Sequence, residues 1–77
     1  MNKKVTFNAS ILIIGNEILS GRTKDTNTAT LANWLNSIGV KVGEVRIIPD
    51  VEKTIIDVLN SLRFNYDYVF TTGGIGP

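Results

Sequence analysis

Three glycines within four residues follow an apolar run in the segment Thr72-Gly73-Gly74-Ile75-Gly76-Pro77. Glycines directly after a buried strand let the backbone adopt positive φ and come close to a ligand. Successive N–H groups in such a turn can form a concave site for an anion. The segment therefore predicts a phosphate-binding loop, and a tight turn without a ligand is the alternative. It matches neither the Walker pattern nor the dinucleotide fingerprint.

Polar residues and further glycines lie in two other predicted loops, at residues 15–26 and 48–51. Because the C-terminal ends of parallel strands share one edge of a sheet, these loops should meet the glycine loop there. The meeting point is a candidate pocket with amides, carboxylates and backbone donors. Its candidate residues outside the glycine loop are Gly15, Asn16, Glu17, Gly21, Asp25, Asn27 and Asp50.

Several of these residues have a simpler structural interpretation. Asp25 and Asp50 precede predicted helices, where carboxylates commonly cap the first turn. Asn27 in the first turn is costly by helix propensity, and either a ligand contact or a local capping bond would explain it. Arg22 could meet a phosphate but is more simply a solvated loop residue. Trp34 has helical spacing, which favours a core position over a stacking platform.

The elements that position the loops follow from the hydrophobic pattern. Residues 9–14 are apolar apart from Ser10, which predicts a central parallel strand covered on both faces. One helical turn is predicted at residues 17–19, and Gly39 falls where a longer helix should end. The apolar stripe of that longer helix is Leu31, Trp34, Leu35 and Ile38.

A second strand is predicted over residues 40–48, with a bulge at Gly43-Glu44 because the alternation of apolar residues changes phase there. Asp50 should open the next helix, and residues 68–72 form the third strand. The buried stripe of that helix is Val51, Ile55, Val58, Leu59 and Leu62. The β-α-β-α-β order predicts an α/β fold with parallel strands and right-handed crossovers.

Composition excludes several classes of site. The 77 residues include no cysteine and no histidine, so disulfides, thiolate metal sites and histidine bases are absent. No metal site is predicted within the protein alone, and any bound metal would be a hard ion such as Mg²⁺. The net charge of +1 gives no case for nucleic acid or a membrane surface. No signal peptide is recognisable, which predicts a cytoplasmic protein.

The combined motifs resemble one family. Their elements, in order, are Ile14-Gly15-Asn16-Glu17-Ile18-Leu19-Ser20-Gly21, Lys24-Asp25-Thr26-Asn27, Gly39, Asp50 and Thr72-Gly73-Gly74-Ile75-Gly76-Pro77. This string is similar to the N-terminal half of molybdopterin-binding (MoaB/Mog-like) domains, most closely the subgroup found in competence/damage-inducible CinA proteins. The resemblance implies a three-layer α/β/α sandwich with its ligand over the strand C-termini.

The resemblance also implies roles for the candidate residues. Gly73, Gly74 and Gly76 would cradle the phosphate of a pterin or nucleotide. Glu17, Asp25 and Asn27 would line the same pocket, and Gly15 and Gly21 would shape its first loop. Family members bind molybdopterin and adenylylate it with MgATP, whereas the CinA-like subgroup hydrolyses nucleotide pyrophosphates such as ADP-ribose. No covalently bound cofactor is implied, and Mg²⁺ would act in the full-length domain.

The family pattern continues beyond the glycine loop into a Thr-x-Asp-Asp segment that these 77 residues do not contain. We therefore expect residues 1–77 to be the N-terminal half of a single domain that is inactive by itself. The third strand should have an unpaired edge, which predicts a longer protein or a homo-oligomer that shares this edge. A non-catalytic remnant that pairs through the edge is the main alternative. A Rossmann-like half is disfavoured because the glycines follow the third strand, not the first.

Overall fold

The computed structural model describes residues 6–21, 25 and 27–73. The described elements, in chain order, are β1 (Phe7–Ile14), α1 (Asn16–Leu19), α2 (Asn27–Ser37), β2 (Val40–Ile48), α3 (Glu52–Asn65) and β3 (Tyr68–Gly73). The three strands are parallel and lie in the order β2-β1-β3. The predicted α/β fold and its element order are confirmed.

The first strand in sequence is the central strand of the sheet. Every residue from Ala9 to Ile14 is buried, as expected for a strand covered on both faces. The crossovers to β2 and then to β3 run in opposite directions across the sheet. Right-handed crossovers of opposite direction place their helices on opposite faces, which gives the three layers.

The core under α3 is formed by alternate residues of the sheet. Leu12 and Ile14 of β1 pack with Ile48 of β2 and Leu62 of α3. Partly buried apolar residues of α3 and β3 complete this cluster. The predicted apolar stripe of α3 is therefore confirmed except for Val51, which precedes the helix and is exposed.

A bulge in β2 explains its change of phase. Ala9 pairs with Val42 and Ser10 pairs with Glu44, so that Gly43 is the extra residue. Without this insertion, the apolar residues before and after position 43 would face opposite sides of the sheet. With it, they share the face that carries Phe7, Ala9, Ile11 and Ile13 of β1. The predicted bulge is confirmed.

The stripe predicted for α2 is only partly buried. Leu35 is fully buried, whereas Trp34 and Ile38 are each 56% exposed. The prediction of Trp34 as a core residue is therefore wrong. The reason is that α2 packs mainly against β2, which is an edge strand, so that a narrow line of the helix meets the sheet. Among the described helices, none is both long and apolar enough to cross a membrane.

Candidate functional site

The three strands end in one row. Ile14, at the end of β1, pairs with Ile48 on one side and with Gly73 on the other. The backbone N–H of Gly15 donates to the Ile48 carbonyl oxygen at 3.0 Å, which extends the contact one residue past the strand. The C-terminal ends of β1, β2 and β3 therefore lie on a common line, as predicted.

Gly73 begins the glycine loop in a conformation that favours glycine. Its φ is 80°, and a β-carbon built on it would overlap the carbonyl oxygen of Ile14 and lie 3.2 Å from the carbonyl carbon. This close approach is to the backbone of β1, so Gly73 is required by the fold whether or not a ligand binds. Thr72 is half-buried and pairs with Ile13, while Gly74 and Gly76 lie outside the described residues.

The side chain of Asn16 joins the first loop to the second. Its Oδ1 accepts a hydrogen bond from the backbone N–H of Asp50 at 3.2 Å. The two residues are 34 positions apart in the sequence, and no spacing pattern predicts this bond. The amide group of Asn16 still has its NH₂ donors and one lone pair of Oδ1 for other partners.

Asp50 does not cap α3, which corrects the prediction from sequence. The residue in the capping position is Val51, and no side chain caps this helix end. The Val51 N–H donates to the Pro49 carbonyl oxygen at 2.9 Å, a three-residue turn that delays the helix until Glu52. The exposed Asp50 carboxylate makes no hydrogen bond or ion pair to another described residue.

Glu17 supplies a second carboxylate at this edge. It lies in the short helix α1, and its side chain folds back over Gly15. A β-carbon built on Gly15 would lie 3.1 Å from each carboxylate oxygen. The side chain of Glu17 is exposed, and its carboxylate, like that of Asp50, has no hydrogen-bond partner in the part of the chain that the structure describes. Both carboxylates are thus available as acceptors.

Asp25, in contrast, is a capping residue, as its position before α2 suggested. Its Oδ1 accepts the backbone N–H groups of Asn27 and Thr28 at 3.2 and 3.3 Å, and its Oδ2 accepts the Thr28 hydroxyl. The Thr28 hydroxyl is the main cause of a lowered pKa for Asp25. Burial opposes this shift, and the two N–H groups add to it. These bonds leave Asp25 less free than Glu17 or Asp50 to meet a ligand.

The remaining candidates in the first loop are Gly21 and Asn27. Gly21 has φ of 79° and donates its N–H to the Ile18 carbonyl oxygen at 3.2 Å, so that it turns the chain out of α1. Asn27 is the exposed first residue of α2, and its side chain makes no hydrogen bond to the described residues. Among its described residues, this edge presents the free carboxylates of Glu17 and Asp50, the side-chain amides of Asn16 and Asn27, and glycine backbone.

Comparisons with known proteins identify relatives of this chain. Residues 10–77 match the family described as "Probable molybdopterin binding domain". A protein of Caenorhabditis elegans named "Probable FAD synthase" is 44% identical over 69 residues, which are 90% of this chain and 13% of that protein. A "CinA-like protein" of Flavobacterium psychrophilum is 41% identical over 69 residues, again 90% of this chain and 16% of the relative.

A solved structure shares the fold. The crystal structure of the protein CinA with unknown function from Thermoplasma acidophilum superposes with a TM-score of 0.87 and 35% identity. The match covers 96% of this chain and 44% of that one. The chain thus spans less than half the length of each of these three relatives. Since the family match extends over nearly all of the sequence, the chain belongs to the probable molybdopterin binding domain family.

Proposed function

We propose that this chain binds a phosphorylated pterin or nucleotide at the C-terminal edge of its sheet. The observation that carries the proposal is the row formed by Ile14, Ile48 and Gly73, in which all three strands end at one edge. Two carboxylates near this row, Glu17 and Asp50, have no partner among the described residues. Ligands of open α/β sheets bind at such an edge.

The groups at this edge suit a ligand that has a phosphate at one end and a heterocyclic ring at the other. The phosphate would meet the backbone N–H groups of the glycine loop, Gly73, Gly74 and Gly76. The Glu17 and Asp50 carboxylates accept hydrogen bonds, so they would meet N–H groups of a heterocyclic ring. Molybdopterin and FAD, which appear in the names of the family and of a relative, both combine a phosphate with such a ring.

The other candidate residues would shape the pocket wall. Gly15 and Gly21 would set the course of the first loop, and Thr72 would precede the phosphate site. Asn27 would offer its free side-chain amide beside them. Asp25 would act mainly by fixing the start of α2, because its oxygens already accept bonds from Asn27 and Thr28.

Mg²⁺ fits this edge as an ion shared with the ligand. Within residues 6–21, 25 and 27–73, no group of three or more Asp or Glu side chains could hold a metal ion by itself. Mg²⁺ usually keeps several waters and binds one or two carboxylates together with ligand phosphates. Glu17 or Asp50 would supply such a carboxylate, and the ion would neutralise the neighbouring phosphate charge.

The activity of the whole protein is a separate part of the proposal. Adenylyl transfer to molybdopterin and hydrolysis of a nucleotide pyrophosphate such as ADP-ribose are the two candidate reactions. Both require the same phosphate-binding edge, and they differ in the group that attacks the pyrophosphate. This chain spans 13–16% of the first two relatives described above, so we assign binding to it and the reaction to the whole protein.

Titration calorimetry with ATP, ADP-ribose and a pterin phosphate tests the binding proposal. We expect heat from at least one of these probes and its loss in Gly74→Asp, because the added carboxylate would repel a phosphate. Asn33→Asp makes the same charge change on the exposed surface of α2 and should bind normally. Unchanged affinity in Gly74→Asp, or no heat from any probe with a folded sample, would overturn the proposal.

The second candidate function is pairing through the edge of β3. In the described sheet β3 contacts only β1, and its segment Tyr68–Gly73 contains no charged residue. The opposite edge, β2, has a bulge and three charged residues, Lys41, Glu44 and Arg46. Charges and bulges protect sheet edges from pairing, so this asymmetry favours β3 as the edge that meets a second copy.

A further inference from the structure

We infer that Asn16 is a positioning residue, which holds Asp50 at the ligand edge and makes the first and second loops one rigid unit. This inference rests on the proposed function for its consequence in binding. The bond on which it depends joins two groups of the chain itself, since Asn16 Oδ1 accepts the Asp50 N–H at 3.2 Å.

The backbone pattern shows what this side chain replaces. In a parallel sheet, a residue that donates its N–H to a carbonyl oxygen of the neighbouring strand also accepts an N–H from that strand at its own carbonyl. The residue that supplies this N–H lies two positions after the residue that supplies the carbonyl oxygen. Gly15 donates to the Ile48 carbonyl oxygen, so the Gly15 carbonyl should accept the N–H of Asp50. That carbonyl instead accepts the Leu19 N–H at 3.3 Å, because α1 begins there.

Asn16 Oδ1 therefore acts in place of the Gly15 carbonyl. The chain can turn sharply into α1 after β1 and still complete the ladder to the second loop. Pro49, between the two bonded positions of the second loop, has no N–H and cannot contribute a donor. Without the Asn16 side chain, Asp50 would lose the bond that fixes its peptide plane and hence the direction in which its side chain leaves the backbone.

Exchange of the Asp50 amide proton tests the bond without a ligand. By NMR, we expect Asn16→Ala to speed this exchange roughly fivefold, the scale of one lost hydrogen bond. Asn16→Asp keeps an acceptor oxygen at the same reach and should restore slow exchange. Asn27→Ala removes an exposed amide of the same type and should leave it unchanged. Equal exchange at Asp50 in the wild type and Asn16→Ala would overturn the inference.

A double-mutant cycle with ADP-ribose as the probe distinguishes positioning from direct contact. Asp50→Ala keeps the backbone N–H but removes the carboxylate that Asn16 is inferred to aim. Asn16→Ala should weaken binding roughly fivefold in the wild type and hardly at all in the Asp50→Ala background. Equal losses in both backgrounds would show that Asn16 acts on the ligand directly, and would overturn the positioning role.

The two measurements distinguish a failure of the positioning inference from a failure of the proposed function. If the wild type gives no heat with ADP-ribose, ATP or a pterin phosphate, the proposed function fails, and the Asp50 amide still decides whether Asn16 holds the second loop. If the amide is unaffected by Asn16→Ala while binding is seen, the positioning inference fails and the proposed function stands.

Discussion

Gly73 lies against the carbonyl oxygen of Ile14 so closely that a β-carbon at position 73 would overlap that oxygen. The contact joins the end of the edge strand β3 to the end of the central strand β1. It occurs at a residue whose φ of 80° is itself unfavourable for any side chain. The first residue of the glycine loop is therefore constrained by the sheet before any ligand arrives.

Substitution of Gly73 by alanine should destabilise the fold more than the same change at another left-handed glycine. Gly39 has φ of 87°, but a β-carbon there would meet no atom within 4 Å. Gly39→Ala should therefore cost only the backbone strain, about 1–2 kcal/mol in the free energy of unfolding. Gly73→Ala should cost about 3 kcal/mol or more, because the overlap with Ile14 adds to that strain. Urea unfolding of both variants measures the difference, and equal losses would contradict the interpretation.

Asp25 should stabilise α2 in a manner that depends on pH. Asp25→Ala removes the acceptor of two N–H groups and a hydroxyl, and should cost about 1 kcal/mol near neutral pH. The pKa of Asp25 is lowered in the folded chain, so its contribution is complete above the ordinary value of 3.8. It is lost as the pH falls through the lowered pKa.

Unfolding of the wild type and Asp25→Ala between pH 7 and pH 2 should therefore give curves that approach each other at low pH. Asp50→Ala is the matched control, since its carboxylate makes no bond in the described structure and caps no helix. A loss in Asp50→Ala as large as that in Asp25→Ala would contradict the capping assignment.

The bulge at Gly43 was predictable from sequence, whereas the contacts around it were not. Apolar alternation changes phase within β2, and only an inserted residue keeps both halves on one face. The ring that lies on Gly43 belongs to Tyr66, at the end of α3, and its Cε1 would be 2.9 Å from a β-carbon there. That contact depends on how α3 packs across the sheet, which no local pattern encodes.

The candidate site likewise has one part that the sequence predicts and another part that it does not. Parallel strands with a common C-terminal edge predicted that the three loops would meet, because this follows from topology alone. The bond from Asp50 to Asn16 arises because α1 occupies the Gly15 carbonyl, and this competition appears only in three dimensions. Trp34 was misplaced for a related reason: helical spacing identifies an apolar stripe but does not give the width of the surface that covers it.

Tyr66 should stabilise the fold less at high pH. Its hydroxyl donates to Glu44 Oε1 at 2.9 Å, and this bond is the main cause of a raised pKa for Tyr66, with burial and the Glu44 charge adding to it. Arg46, which pairs with Glu44, opposes the shift. A raised pKa means that the contribution is complete below the ordinary value of 10.0 and is lost as the pH rises through the folded value.

Tyr66→Phe should therefore destabilise the chain at pH 7 and show a smaller decline in stability toward pH 11 than the wild type. Tyr68→Phe is the control, because the Tyr68 hydroxyl makes no hydrogen bond to any residue in the described ranges. Thermal unfolding at several pH values provides the comparison. Parallel curves for the wild type and Tyr66→Phe would mean that the bond to Glu44 contributes nothing to the alkaline decline.

The edge of β3 that no described strand covers should respond to a single added charge. Thr71 is exposed near the middle of this uncharged strand, so Thr71→Lys adds a positive side chain at the edge without entering the core. If two copies pair through β3, the added lysines of both copies would be brought together. The cost of desolvating these lysines and the repulsion between their charges would oppose association. Light scattering after size exclusion should then show a dimer for the wild type and Thr71→Ser, and a monomer for Thr71→Lys. A wild type that stays monomeric at high concentration would exclude pairing, and a dimer retained in Thr71→Lys would move the interface away from β3.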